Sequence, residues 1–157
     1  MKTEIIAAPG KQDFFVHREF EASKELLFKA FSDPEMLAQW FLPKTLNMTV
    51  HEMDCTTGGS YYHTHRHESG MEFGFRGVFH EVASNERIIK TSEFVGLPQR
   101  LLPTLEFTTF ESQGTGTKVT IQTLCPSVEY RDEMIKNGME NALIQAYEQL
   151  DDLLNKV

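Results

Sequence analysis

The sequence predicts an α+β fold: a curved antiparallel sheet of about seven strands wrapped around one long C-terminal helix, with two short helices between the first and second strands. Three observations predict it. From residue 46 to residue 124, short runs rich in β-branched and aromatic residues alternate with turn residues. The period then changes to steps of three and four through Ile135, Met139, Leu143, Ala146, Tyr147, Leu150 and Leu154, which puts one continuous apolar face on a helix. Upstream of the sheet, Asp33-Pro34-Glu35 opens a short helix that closes on Trp40, the chain's 1 Trp.

Each element has its own reason. Phe14 to Phe20 alternates as a first strand. Ser23 suits the N-cap of a helix through Phe31, with Leu26, Leu27, Ala30 and Phe31 at helical spacing. Asp33 caps the next helix, Pro34 fits its first position and Glu35 suits the positive end of the dipole. Pro43 ends that segment. Strands follow over 46–54, 59–67, 71–82, 87–95, 104–111 and 116–124, separated by Thr57-Gly58-Gly59, Ser69-Gly70, Ser84-Asn85, Gly96 to Pro103 and Gln113 to Gly116. Hairpin-length connections favour an antiparallel meander. Ser127 caps the last helix, and Asn137-Gly138 marks a kink or break near its start. A sheet must cover that helix's apolar face, which is the helix-grip arrangement.

The 157 residues form a single domain, residues 1–157, whose first dozen are expected to be ragged around Ala7-Ala8-Pro9-Gly10. A hydrophobic content of 40% and a charged content of 24% are those of a soluble globular chain. Net charge is −8, from 15 basic and 23 acidic residues. No Lys/Arg cluster offsets it, so neither nucleic acid nor an anionic membrane is expected as a partner. There is no signal-peptide core and no apolar run of membrane-spanning length. Cys55 and Cys125 form neither a disulfide framework nor a CxxC, so a reducing cytoplasm is expected.

A curved sheet gripping one helix leaves a concave, mostly apolar space, the default place for a ligand. Its expected lining is Trp40, Phe73, Phe75, Phe94, Leu105, Phe107, Val119, Ile121, Met139, Leu143 and Tyr147. The same side chains also suit an ordinary core. His63-Thr64-His65-Arg66-His67 adds a row of imidazoles on one strand face, about 7 Å apart. Three His can bind zinc when they converge, which makes His63, His65 and His67 weak metal candidates. Their face depends on the hairpin at Ser69-Gly70. A two-residue loop pairs Glu68 with Met71 and puts the His row outside, opposite Phe73 and Phe75. A three-residue loop pairs His67 with Met71 and turns the row inward. Grouping polar residues outside and aromatics inside favours the two-residue loop, so a solvated His row is expected.

Catalytic motifs are missing. There is no GxSxG, HExxH, P-loop or GxGxxG, so no catalytic residue is assigned and no cofactor is expected. Glu52, Asp54, Glu72, Glu81, Glu93 and Glu106 are strand carboxylates, expected to be solvated or paired with Arg18, Arg76 or Arg87. The proline- and leucine-rich loop from Leu97 to Pro103 suits either a lid or cover for a sheet edge.

The chain also resembles a known family in the order and spacing of many positions. They are Arg18, Phe20, Phe28, Ala30, Phe31, Asp33-Pro34-Glu35, Trp40, Asp54, Gly58-Gly59, Gly70, Phe75-Arg76-Gly77-Val78, Glu81-Val82, Glu86-Arg87-Ile88, Gly116-Thr117, Gly138-Met139 and Leu150-Asp151. The resemblance is to bacterial homologues of the C-terminal domain of the activator of the ninety-kilodalton heat-shock protein ATPase, within the START-like, birch-pollen-allergen-like superfamily. It implies the helix-grip fold over nearly the whole chain. It implies binding of a small hydrophobic or aromatic molecule first, since that is what the superfamily mainly does. A protein-interaction module, as a chaperone partner or a homodimer, comes second, and an enzyme using the same cavity third. One departure stands out. Relatives often carry Gly then Trp shortly after Gly-Met, where this chain has Asn141 and Ala142. A missing aromatic there would enlarge the pocket or shift the helix.

Overall fold

The computed structural model describes residues 2–157. Strand β1 (Glu4–Ile6) and strand β2 (Asp13–Phe20) precede helices α1 (Lys24–Ser32) and α2 (Pro34–Leu37). Strands β3 (Leu46–Met53), β4 (Ser60–His67), β5 (Glu72–Ala83), β6 (Arg87–Val95), β7 (Thr104–Gln113) and β8 (Gly116–Leu124) follow. Helices α3 (Val128–Met134) and α4 (Glu140–Leu154) close the chain, joined by a π-helical turn over Ile135–Met139. The strands form one 8-stranded sheet in the order β1-β2-β8-β7-β6-β5-β4-β3. Every neighbouring pair is antiparallel.

The sheet thus has 8 strands rather than the expected seven. The extra one, β1, lies in the stretch expected to be ragged and pairs Ile5 with Val16. Three residues are too few to show an alternation, so the strand leaves no pattern to read. Among the described residues no helix is long and apolar enough to cross a membrane.

Local chemistry sets the helix ends as expected. Ser23 Oγ accepts from the Leu26 amide at 3.2 Å. Asp33 ends α1 and caps α2, its carboxylate accepting from the Glu35 amide at 2.9 Å. Ser127 Oγ accepts from the Tyr130 amide at 3.0 Å. Asn137 (φ −87°, ψ 29°) and Gly138 (φ 87°, ψ 16°) leave helical geometry, so the last helix is broken there into two. Gly tolerates that left-handed conformation without a Cβ penalty.

Side chains then tie the helices to the sheet. Arg131 on α3 is buried and donates to Ala8 O at 2.7 Å and Asp13 O at 3.0 Å. Arg18 on β2, 3% exposed, pairs with Asp151 near the end of α4. Gln149 donates to the carbonyls of Trp40 and Leu42, both at 3.0 Å. The Trp40 indole donates to Ala30 O at 2.9 Å, and its ring lies 4.8 Å from Phe31 and 6.2 Å from Tyr147. It is the aromatic plug its position suggests, locking α1, α2 and α4 together.

The hairpin between β4 and β5 takes the three-residue loop. His67 N donates to Met71 O at 2.8 Å, and the register runs His65 with Phe73 and His63 with Phe75. The expectation of a solvated His row is therefore corrected: His63 and His65 are 2% and 1% exposed, on the concave face with Phe73 and Phe75. Turn chemistry decides the register. Gly70 supplies the positive φ (96°) that a three-residue loop needs at its last position. A one-residue slip would flip the whole row.

The buried Arg18 cation has a partner for its charge only in Asp151, and its Nε has none. Replacing Asp151 by Ala should lower unfolding stability by about 2 kcal/mol, because it strands a buried charge. Arg18→Met, which removes the charge itself, should cost less. Urea unfolding of the two variants tests this, and equal losses would refute it.

Candidate functional site

The concave face of the sheet has two unlike halves. Over β2, β7 and β8 its large apolar side chains Phe14, Val16, Phe20, Phe110 and Val119 are all buried. Over β4, β5 and β6 it carries aromatic rings that remain only half-buried, namely Phe73, Phe75 and Phe94. Phe41, just after α2, is half-buried with them. The Phe73 and Phe94 rings stack at 5.1 Å, Phe75 meets Phe94 edge-on at 5.0 Å, and Phe41 meets Phe75 at 5.6 Å. His63 lies 5.7 Å from Phe75, and His65 lies 5.7 Å from Phe73. Met139 and Leu143 pack against the core from the helix side and are also half-buried.

Trp40 and Tyr147, expected in the lining, sit at the border of the two halves as buried parts of the core. Phe107 and Leu105 are corrections. Their neighbours Thr108 and Phe110 are buried, and strand alternation sends Phe107 and Leu105 to the opposite, convex face. There they line an open groove of about 710 Å³ with Ile89, Leu102 and Leu124. Leu102 comes from the proline-rich loop, which therefore lies along the outer face. Phe41, Tyr61, Lys90 and Glu106 belong to the concave side and were not in the expected lining. Parity with the buried Ile88 could have found Lys90, and parity with Phe110 could have found Glu106.

The two buried imidazoles bond to each other, His63 Nδ1 to His65 Nε2 at 2.8 Å. One ring must donate and the other accept, which neutral tautomers allow. Burial pushes both below the ordinary histidine value, His63 to about 3 with help from His65, Lys90 and His51, and His65 to about 4. Both are thus neutral at pH 7. His67 is separate: its Nδ1 is engaged by Ser69 Oγ at 2.9 Å and by the Ser69 amide at 3.1 Å, inside the turn. Among the described residues no group of three His, Cys, Asp or Glu side chains is arranged to hold a metal ion. His51 and His80 are exposed.

The strand carboxylates divide. Glu93 pairs with Arg76 at 3.1 Å on the outer face, and Glu81 pairs with Arg87. Glu106 instead points into the concave side opposite Lys90, its cross-strand partner. The Lys90 ammonium lies 5.0 Å above the Tyr61 ring. Burial acts against that ammonium, and the negative charge available on Tyr61, Glu106 and Cys55 outweighs it, holding lysine above its ordinary value. Burial, and then Glu106, push the Tyr147 phenol well up. This part of the concave face therefore brings Lys90, Glu106, Tyr61 and the two imidazoles near the half-buried phenylalanines.

Comparison with known proteins agrees with this architecture. A family model described as Activator of Hsp90 ATPase homolog 1-like protein matches residues 21–155. A Rhodobacter sphaeroides protein of known structure superposes with a TM-score of 0.88 at 22% identity, covering 98% of this chain and 99% of that one. An Arthrobacter aurescens protein gives a TM-score of 0.86 at 22% identity, covering 98% and 92%. A Staphylococcus epidermidis protein gives 0.83 at 23% identity, covering 99% and 94%. At these identities the likeness shows the fold alone. No curated protein matches the chain.

The depressed imidazoles make a prediction about acid. The unfolded chain takes up these protons near pH 6.5, whereas the folded chain resists until about pH 4 for His65 and about pH 3 for His63. Their contribution to stability is thus complete above about pH 6.5 and is lost as pH falls, by at most about 1.4 kcal/mol per ring per pH unit. Imidazole NMR resonances of both rings should stay in their neutral positions down to pH 5 in the folded protein. Titration of either ring near pH 6.5 would contradict the burial described.

Proposed function

The chain belongs to the Activator of Hsp90 ATPase homolog 1-like family, and from that premise we propose that it binds a small hydrophobic or aromatic molecule between the concave sheet face and the C-terminal helix. One observation carries the reading. Phe41, Phe73, Phe75 and Phe94 cluster on the core side of the sheet yet stay half-buried, while Phe14, Val16, Phe20, Phe110 and Val119 on the same face over β2, β7 and β8 are buried. Protein interiors pack as densely as organic crystals. Inward-facing rings that keep accessible surface are rings that a ligand would cover. Neutral His63 and His65 extend the cluster with flat, polarisable faces that cost no charge burial. Met139 and Leu143, just beyond the break at Gly138, supply adaptable cover from the helix. The absence of Trp shortly after Met139, where Asn141 and Ala142 stand, leaves room on that side. Two free cysteines support a reducing, cytoplasmic setting.

A second reading, protein contact, has its own support. The outer groove is lined by Ile89, Leu102, Leu105, Phe107 and Leu124, with Leu102 51% and Leu124 41% exposed. Scattered exposed leucines need no explanation, but a contiguous apolar groove does. A homodimer or a chaperone partner seated there would be the interaction the family name suggests. A dimer in sedimentation velocity that Phe107→Glu splits would favour this reading over the first.

Native mass spectrometry of the purified protein, paired with a denaturing run, tests ligand binding. The expected result is an extra organic mass that vanishes on denaturation, or uptake of added naphthalene by a bare protein. Leu143→Trp, which fills the space from the helix, should cut naphthalene uptake about tenfold while the fold persists by circular dichroism. A bare monomer that takes up no naphthalene would overturn the proposal.

A further inference from the structure

We infer that Lys90 and Glu106 form a head-group subsite in the floor of the concave face, one that takes the neutral hydroxyl of an aromatic ligand. The inference rests on the proposed apolar-ligand reading and names the chemistry of the ligand's polar end.

The two residues are direct cross-strand partners on β6 and β7. They share their face with Ile88, Thr108 and Thr123, all buried. Directly opposed side chains on one face have Cβ atoms about 5 Å apart, which is ample for an ion pair. Yet neither Lys90 nor Glu106 is among the ion pairs formed by the described residues. Lys90 instead leans over the Tyr61 ring. Among the described residues only Arg18 Nε is a fully buried side-chain polar atom without a partner. Lys90 and Glu106 are each half-buried, so both keep some accessible surface while forming no ion pair with one another. Two charges held apart at an inner floor must be solvated by something, since an unpaired buried charge is costly.

The charges decide what fits between them. A carboxylate drawn to Lys90 would meet Glu106, and an ammonium drawn to Glu106 would meet Lys90. A hydroxyl satisfies both: its oxygen accepts from the ammonium and its proton is donated to the carboxylate. Both hydrogen bonds are charge-assisted, the strong kind. A line of rings leads from Lys90 along the concave face toward the half-buried phenylalanines. Tyr61 lies beneath Lys90, His63 is 5.7 Å from Tyr61, and Phe75 is 5.7 Å from His63. Farther along β6, Phe94 lies on the same face as Lys90 about 13 Å away by strand geometry.

Isothermal titration with a matched ligand series tests the subsite. Its members are 2-naphthol, 2-methoxynaphthalene, which cannot donate, and 2-naphthoate, which is an anion. The protein should bind 2-naphthol about tenfold more tightly than either of the others. Glu106→Gln, which removes the negative charge at constant shape, should raise 2-naphthoate affinity about tenfold and leave 2-methoxynaphthalene unchanged. If that variant does not fold, the unaltered protein's ranking of the three ligands still decides. Equal binding of 2-naphthol and 2-methoxynaphthalene, or tightest binding of 2-naphthoate, would overturn the subsite and leave the apolar site standing. Binding of none of the three would remove the apolar-ligand reading and this inference with it.

Discussion

One constraint governs the molecule: a single amphipathic helix has to cover a concave sheet of 8 strands. The helix is held at its two ends, and both holds reach strand β2. Arg131 fixes the start of the C-terminal helical segment to Asp13 O and Ala8 O, and Arg18 fixes its far end through Asp151. Burying a guanidinium is expensive unless its donors are matched. All of those donors but Arg18 Nε have partners only when the helix sits at one height and one angle, so the arginines specify a position as much as they stabilise it. Gln149 adds a third fixing point, to the carbonyls around Trp40.

Fixing the helix along β2 determines where the core is full and where it is not. Near the anchors, Phe14, Phe20, Phe110, Val119, Tyr147 and Leu150 close around one another. Toward β4 and β5 the sheet curves on, while the helix breaks at Asn137 and Gly138. On that side the imidazoles are buried, but Phe41, Phe73, Phe75 and Phe94 stay half-buried. The half-buried rings are thus a consequence of geometry: one helix, pinned to one side of a wide sheet, covers the other side less completely.

Most of the fold was legible because its signals are local. Ser23, Asp33 and Ser127 each announce a helix start through a hydrogen bond within a few residues, and those bonds are present. Alternation marked β2 to β8 nearly to the residue. What escaped was whatever depends on phase rather than period. The His row has the right period for a strand either way; its face was set by one glycine, Gly70, at a loop position that the alternation does not report. Phe107 was assigned inward from its character as an apolar aromatic, although its parity with Leu105 and against Phe110 places it outside. Lys90 escaped for the converse reason. A lysine reads as surface by type, whereas its parity with Ile88 puts it on the core side. For Phe107 and Lys90, side-chain identity misled where counting by twos from a buried neighbour would have served.

Those same places are where the sequence works against stability. Local rules would fill the inner face with apolar groups, as Phe14, Val16, Phe20, Phe110 and Val119 do. Elsewhere on that face the chain instead holds two imidazoles that burial keeps neutral, a lysine and a glutamate that form no ion pair, and aromatic rings left partly uncovered. Replacing such groups by well-packed hydrophobic residues is often neutral or stabilising, so folding does not require them. The disagreement between local preference and placement gathers on one face, and functional sites are where such disagreements are expected. It also has a consistent chemical sense: flat apolar surfaces above, one donor and one acceptor of opposite charge below. A solid core would carry no such polarity along its depth. A surface built to cover an aromatic body and to satisfy a single hydroxyl at its end would carry this one.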